Sequence, residues 1–146
     1  MANAWIHSVS SAKKYGGIAE DYMHIHQKMD CSKAYVSDNR HRALTHTMFW
    51  VNEVMIPLFG YTLTNSDKRV IAIKDICERH ILEDFHMKFI PTAQDYIENM
   101  DYIDWMQNGI KGHPSSYNKL AEKNTQKRVI PDVDVDLDET EKISVI

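Results

Sequence analysis

The chain of 146 residues has only two cysteines and no long apolar run. Cys31 and Cys77 cannot form a disulfide framework, and neither belongs to a Cys-x-x-Cys pair of the kind that binds structural zinc. No segment approaches the ~20 apolar residues needed to span a bilayer, and the first residues lack the pattern of a secretory signal. These absences exclude a cysteine zinc ribbon and favour a reduced, cytoplasmic protein without a membrane partner.

Positive and negative charges nearly balance along the chain, except at the C-terminal end, where acidic residues dominate. The formal net charge is -4, while residues 131–146 alone carry six acids and one lysine, so the other 130 residues sum to +1. The net charge of -4 argues against a DNA-coating protein but says little about the binding of a single nucleotide. Composition predicts a folded domain over residues 1–106, a polar linker over 107–130 and an acidic tail over 131–146.

The acidic tail alternates aspartate with apolar residues from Asp132 to Asp138. Its first acids resemble the start of a calcium loop, but Leu137 stands where an EF-hand loop needs glycine, so calcium binding is not expected. The composition predicts a disordered tail. The alternative is a strand that pairs with the sheet edge of a partner protein.

Apolar residues in the predicted domain recur mainly with helical spacing. The spacing and the capping residues predict four helices, over residues 20–35, 37–58, 75–89 and 93–106. We therefore predict a mainly α protein, a small bundle of about four helices with one inserted β-hairpin.

The hairpin is predicted from two β-rich segments, 61–64 and 69–73, which flank a turn-forming cluster. A further short helix is expected near the N-terminus, where Ser8 is the predicted cap. Gly16 or Gly17 is expected to close that helix, because glycine adopts the left-handed conformation common after a helix end.

Histidine and carboxylate residues recur four positions apart on two predicted helices. His26 precedes Asp30 by four residues, and His80 precedes Asp84 by the same interval. Residues at this spacing share a helix face, so each pair can present an imidazole and a carboxylate in one direction. An isolated pair of this kind usually forms an ion pair, and that interpretation stays open for each pair.

The predicted helix over 37–58 adds a third polar face. At 100° per residue, its polar side chains Asp38, Arg42, His46 and Glu53 fall within a stripe ~80° wide, with His41 ~60° to one side. Three helices that each present histidine and carboxylate side chains predict a metal site in the bundle core. A di-iron arrangement is less favoured, because the helix over 75–89 is short.

Imidazole and carboxylate ligands together suit zinc, manganese or iron. The predicted metal ligands are drawn from His26, His41, His46, His80 and Asp84. The metal identity stays open. The sequence has no adjacent His-Asp dipeptide, which excludes the class of phosphohydrolases that this dipeptide marks.

Two cations close to the predicted ligands favour a phosphate-containing substrate. Lys33 and Arg42 are predicted to bind phosphoryl oxygens, although Arg42 could instead neutralise Asp38. Glu83 or Asp38 is predicted to act as the general base that deprotonates metal-bound water. The expected substrate is a nucleotide or a nucleic-acid end.

Four sequence strings occur in an order that identifies a family: His7–Lys14, Arg40–Leu44, Thr64–Asp67 and His80–Asp84. On these strings the chain resembles a family of small, uncharacterised, histidine-rich proteins frequent in bacteriophage and prophage genomes. The resemblance covers about residues 5–105 and implies a phage origin and the host cytoplasm, but no activity. It directs attention to His7, His26, Asp30, Asp38, His41, His46, His80, Glu83 and Asp84.

The sequence thus favours a divalent-metal-binding protein and a candidate phosphoester hydrolase. The alternative is a non-enzymatic phage accessory or minor virion protein that binds a host protein or ligand, with structural His/Asp pairs. A host or phage partner of the acidic tail is part of either hypothesis. Whether the protein is an enzyme, its substrate and its oligomeric state stay open.

Overall fold

A computed structural model of the chain describes residues 3–103 and 105–108. The chain divides into two units, residues 1–100 and 101–146. The described part of the second unit includes the short helix α8 (Trp105–Asn108). The predicted linker and acidic tail lie outside the described residues, apart from the first two linker positions.

The first unit is mainly helical with one β-hairpin, which confirms the predicted fold class. Its α-helices are α1 (Ala4–Tyr15), α2 (Met23–Met29), α3 (Arg42–Thr45), α4 (Met48–Trp50), α5 (Ile56–Phe59), α6 (Ile73–Asp84) and α7 (Ala93–Glu98). The strands are β1 (Thr62–Thr64) and β2 (Val70–Ala72). Short 3₁₀ turns span Ala19–Asp21, Cys31–Ala34 and Asn39–His41, and one π-helical turn spans Val51–Met55.

Helix α1 is longer than predicted and begins earlier. Asn3 is its N-cap and accepts a hydrogen bond from the backbone N–H of Ile6 at 3.1 Å. The predicted cap, Ser8, is wrong: it is buried inside the helix and donates to the carbonyl of Ala4. The predicted closure is confirmed at Gly16, whose φ of 88° lies in the region that favours glycine.

The prediction of two continuous helices, over 20–35 and 37–58, is wrong because both segments are interrupted. The first is interrupted after Met29 and continues as a 3₁₀ turn. The second breaks at His46, whose φ and ψ are -100° and 55°. Thr47 then begins a new helix, because its side-chain oxygen accepts a hydrogen bond from the Trp50 N–H.

Two further helix boundaries also differ from the prediction. Helix α6 ends at Asp84 rather than residue 89, and His86 and Met87 follow with φ values of 54° and 60°. The helix predicted over 93–106 is wrong in its continuity: α7 ends at Glu98, residues 99–103 are not helical, and α8 begins at Trp105. The predicted cap of α7 is confirmed, since the hydroxyl of Thr92 accepts a hydrogen bond from the N–H of Asp95.

The hairpin pairs Thr62 with Ala72 in an antiparallel register. Its central residues, Leu63 and Ile71, are buried opposite each other, so one side of the hairpin packs on the core. Asn65, which directly follows β1, is also buried and donates from Nδ2 to the carbonyl of Tyr15. This contact ties the hairpin turn to the end of α1.

The interior has an apolar core and a separate set of buried polar side chains. The apolar core consists of Tyr22, Ile25, Met29, Val51, Met55, Leu63, Ile71, Ile73, Ile76, Cys77 and Ile81. The buried polar set includes five histidines: His7, His26, His41, His46 and His80. Within the described residues, no helix is both long and apolar enough to cross a bilayer.

Candidate metal site

Four buried or half-buried side chains from three segments of the first unit converge on one point. Asp30 follows the end of α2, His46 lies in the break between α3 and α4, and α6 supplies the other two. One ligand atom of each residue lies within 4.8 Å of the others. We call Asp30, His46, His80 and Asp84 the His/Asp cluster.

The separations within the His/Asp cluster match those of ligands around one ion. Nε2 of His46 lies 2.7 Å from Oδ2 of Asp84 and 3.9 Å from Oδ1 of Asp30. Nε2 of His80 lies 3.2 Å from Oδ1 of Asp30 and 3.6 Å from Oδ2 of Asp84. Ligands placed tetrahedrally at ~2.1 Å from a zinc ion lie ~3.4 Å apart, which is within this range. The donor set therefore fits a divalent ion.

Burial and neighbouring charges favour the ligand forms of these groups. Burial lowers the pKa of His80 to about 4, although Asp30 opposes the shift, so this imidazole is neutral near pH 7. Burial alone would raise the pKa of Asp84. Its hydrogen bonds from His46 and His7, together with nearby positive charge, instead hold it well below the usual value. A neutral imidazole and an ionised carboxylate are what a metal ion requires.

Behind His80 lies a second buried histidine, His26. Their Nδ1 atoms are 2.8 Å apart, and Nε2 of His26 lies 2.8 Å from the hydroxyl oxygen of Ser11 on α1. Burial and the adjacent His80 lower the pKa of His26 to about 2, so it is also neutral. His26 and Asp30, which are four residues apart, thus contact the two ring nitrogens of His80. His26 lies at Nδ1 and Asp30 at Nε2.

His46 has an equivalent chain of contacts on its other side. Its Nδ1 lies 2.9 Å from the hydroxyl of Thr45, which lies 2.9 Å from the hydroxyl of Ser32. The Ser32 hydroxyl lies 2.8 Å from Nδ1 of His41. Within the part of the chain that the structure describes, His41 therefore contacts the His/Asp cluster through these hydroxyl groups and through the edge of the His46 ring.

His7 on α1 connects the His/Asp cluster to Glu83. Its ring stacks on His80, with ring centroids 3.9 Å apart. Nδ1 lies 2.8 Å from Oε2 of Glu83, and Nε2 lies 3.3 Å from Oδ1 of Asp84. Burial disfavours the charged ring, but these two carboxylates outweigh it and raise the pKa of His7 to about 9. An imidazolium therefore offsets part of the negative charge beside the cluster.

Both predicted substrate-binding cations lie beside carboxylates of the cluster. Nζ of Lys33 is 3.2 Å from Oδ2 of Asp30, and Nη2 of Arg42 is 3.8 Å from Oδ1 of Asp84. The guanidinium of Arg42 also lies 5.3 Å from the ring centroid of Phe85. The cations contact the carboxylate oxygens that point away from the histidine ligands. Their role in substrate binding stays a prediction.

Of the predicted metal ligands, the structure brings His46, His80 and Asp84 together at one point. His26 and His41 lie behind them and offer no ligand atom to the cluster. The fourth cluster member, Asp30, was absent from the predicted ligand set. Its spacing from His26 is the signal that marks it, but its partner is His80, on a helix distant in sequence.

The two predicted general bases occupy different surroundings. Asp38 is exposed, and hydrogen bonds from the Arg40 side chain and backbone lower its pKa to about 2. Glu83 is half-buried and accepts hydrogen bonds from Ser10 and His7, with Arg79 also 2.9 Å away. Among the side-chain contacts of the described residues, His7 connects Glu83 to the cluster. A catalytic role for either residue stays a prediction.

The fold and the donor set define a small helical protein with a candidate mononuclear site of two histidines and two aspartates. The chain belongs to the family described as "Domain of unknown function (DUF6915)", whose profile matches residues 2–106. This membership confirms the resemblance to an uncharacterised family, while the phage association stays a prediction. Neither curated proteins nor solved structures include a match to the chain.

Proposed function

We propose that this protein binds one divalent transition-metal ion through Asp30, His46, His80 and Asp84. The observation that carries the proposal is the convergence of four ligand atoms within 4.8 Å of one another. Two imidazoles and two carboxylates suit zinc, manganese or iron. The hydrogen bonds behind both histidines resemble the outer contacts that orient metal-bound imidazoles in other proteins.

Two largely buried carboxylates close to each other are a second observation that supports a bound ion. The side chains of Asp30 and Asp84 are 9% and 2% exposed, so their negative charges are largely removed from water. Two carboxylates and two neutral imidazoles together neutralise a divalent ion, which lowers the cost of burying each charge. In the absence of an ion, His7, Lys33 and Arg42 supply positive charge that balances these carboxylates, which is the arrangement expected if the His/Asp contacts are structural.

Metal content of the purified protein tests the proposal directly. We expect about one equivalent of zinc, manganese or iron per chain, measured by elemental analysis after reloading and desalting. His80→Ala should lose the ion. His24→Ala is the matched control, because His24 is exposed and lies outside the His/Asp cluster. A wild-type protein that holds no ion at any loading contradicts the proposal.

Hydrolysis of a phosphoester is the catalytic function that we propose for this ion. The supporting observation is the pair of cations, Lys33 and Arg42, beside the cluster carboxylates, since phosphoryl groups are anionic. When bound, the ion would lower the pKa of a water molecule and would stabilise negative charge on the phosphoryl group. Around the cluster, the side chains of Lys33, Arg42 and Asp30 are 28%, 13% and 9% exposed.

A generic phosphodiester, a phosphomonoester and a set of nucleotides are the substrates to test. We expect turnover by the metal-loaded protein and its loss in Asp84→Asn. Glu83→Gln tests the predicted general base, with Asp38→Asn as the parallel test of the other candidate. No turnover of any substrate by fully loaded protein contradicts the hydrolase function and leaves the metal site intact.

A non-enzymatic accessory protein of a phage is the alternative function. The observation in its favour is that each cluster histidine already lies within hydrogen-bond distance of a carboxylate, as structural ion pairs do. This alternative expects a folded protein without bound metal and with a host protein or ligand as partner. Co-purification from host cells, with and without residues 131–146, tests the proposed role of the tail in that binding.

A further inference from the structure

Each histidine of the His/Asp cluster is backed by a chain of buried polar side chains that ends at another histidine or at a serine. His80 contacts His26, which contacts Ser11. On the other side, His46 contacts Thr45, and this chain continues through Ser32 and His41. These outer residues do not belong to the His/Asp cluster itself. Their contacts nevertheless determine which ring nitrogen of each ligand is available.

The contact between His80 and His26 restricts where their protons can be. Two Nδ1 atoms at 2.8 Å form a hydrogen bond only if one carries a proton and the other accepts it. An ion on Nε2 of His80 leaves the proton of that neutral ring on Nδ1. His26 must then accept at Nδ1 and carry its own proton on Nε2, where it donates to Ser11.

Without an ion, every bond in this chain has the opposite direction. Nε2 of His80 then carries the proton and donates to Oδ1 of Asp30 at 3.2 Å. Nδ1 of His80 becomes the acceptor, so His26 donates from Nδ1 and accepts from the Ser11 hydroxyl at Nε2. No proton is gained or lost by His26 in this change. Only its tautomer differs.

The hydrogen bonds behind His46 are ordered in the same way, but the hydroxyl groups of Thr45 and Ser32 lie between the two histidines. An ion on Nε2 of His46 leaves a proton on Nδ1, which donates to the Thr45 oxygen. The Thr45 hydroxyl is then able to donate to Ser32, and Ser32 to Nδ1 of His41. Nε2 of His41 has no hydrogen-bond partner among the described residues, so the chain ends there.

We propose that His26 and Thr45 are positioning residues of the metal site, and that metal binding converts His26 from the Nδ1–H to the Nε2–H tautomer. The proposal rests on the metal site proposed above. Neither residue touches the ion: each holds the ring of one ligand so that its Nε2 lone pair points to the ion. Losing such an outer contact typically weakens metal binding ~10–100-fold.

The tautomer of His26 is the first readout. Nitrogen NMR of the ¹⁵N-labelled full chain distinguishes protonated from bare ring nitrogens, and Zn²⁺ alone is the probe because it is diamagnetic. We expect the protonated nitrogen of His26 to change from Nδ1 to Nε2 at one equivalent of Zn²⁺. The same tautomer of His26 before and after zinc binding overturns the conversion.

Zinc affinity of matched variants is the second readout, measured by competition with a chelator. Thr45→Val removes the hydroxyl and should weaken binding ~10–100-fold, whereas Thr45→Ser keeps it and should restore binding. Thr92→Val is the control: it removes a hydroxyl that caps α7 through the N–H of Asp95, and among the described residues no hydrogen bond joins Thr92 to a cluster residue. His26→Leu should weaken binding, and His26→Asn, which keeps a polar group near Nδ1, should recover part of it.

The outcomes separate this proposal from the metal site itself. Tight zinc binding by the wild type, with unchanged affinity in Thr45→Val and His26→Leu, overturns the positioning role and leaves the metal site standing. Equal weakening by Thr45→Val and Thr92→Val also overturns it, because lost stability would then explain both. Absence of zinc binding by the wild type overturns the metal site and the positioning role together.

Discussion

Helix α6 contributes to two interior regions of opposite chemistry. Its first part places Ile73, Ile76 and Cys77 in the apolar core, and its last part places His80 and Asp84 in the His/Asp cluster. The apolar core is stabilised by removing hydrocarbon from water, without specific partners. The cluster instead consists of polar groups that depend on particular partners at 2.7–3.9 Å. The two regions should therefore respond differently to substitution and to metal.

Truncation in the apolar core should have the largest effect on stability. Ile76→Ala leaves a cavity at a fully buried position and should cost ~2–5 kcal/mol, with Ile76→Val costing ~0.5–1.5 kcal/mol. The loss should be equal with and without metal, because Ile76 contacts the core rather than the cluster. Denaturant unfolding of both variants, in a chelator and in zinc, measures it. A loss seen only with zinc would show that the two regions are not separate.

Substitution in the cluster should remove the stabilisation that metal provides. The wild type should gain ~2.7 kcal/mol at a zinc concentration one hundred times its dissociation constant. Asp84→Asn should lose that gain. Asp38→Asn, an exposed carboxylate paired only with Arg40 in the described structure, should keep it. Thermal unfolding with and without zinc gives the comparison, and an undiminished gain in Asp84→Asn would exclude Asp84 as a ligand.

The reactivity of the buried Cys77 thiol measures how well the apolar core excludes solvent. Burial raises its pKa to about 12, so the reactive thiolate is scarce in the native protein. In a Cys31→Ser background, native Cys77 should react with a thiol reagent at least ~100-fold more slowly than in denaturant. Mass spectrometry over time measures the rate, and Ile76→Ala should raise it. Rapid native labelling would mean that this end of α6 is open.

A surface contact outside both regions should have the smallest effect. Hydrogen bonds from Ser66 and from the N–H of Ile18 lower the pKa of Asp21. The carboxylate therefore stabilises the fold above its ordinary pKa of about 4, and this contribution is lost as pH falls through the lower folded pKa. Asp21→Asn should flatten the acid limb of stability against pH and leave zinc affinity unchanged. An unchanged acid limb would contradict this role of Asp21.

The sequence predicts the fold class and three of the four cluster residues because those signals are local. The apolar spacing and the hairpin turn predict a mainly helical unit with one hairpin, as found. The i, i+4 spacing predicts that His80 and Asp84 face one way, and both lie in the cluster. In each case the signal depends only on the periodicity of one element.

The parts that the sequence does not reveal depend on contacts between distant segments. The pairing of Asp30 with His80 crosses 50 residues, and nothing local in either helix indicates it. Helix α1 buries a polar stripe, His7, Ser8 and Ser11, and exposes Trp5 and Ile6, so its apolar pattern points away from its real partners. The break at His46 arises from the Thr47 cap, which redirects the chain within a predicted helix.

The junction of β2 and α6 limits how this chain can change length. No residue separates Ala72 from Ile73, and Ile73 also donates its N–H to the carbonyl of Tyr61. The hairpin therefore determines the rotational phase of α6. One inserted residue at the junction would turn His80 and Asp84 by ~100° and carry them past the other ligands. Insertions in the exposed segment after α6 would leave that phase unaltered.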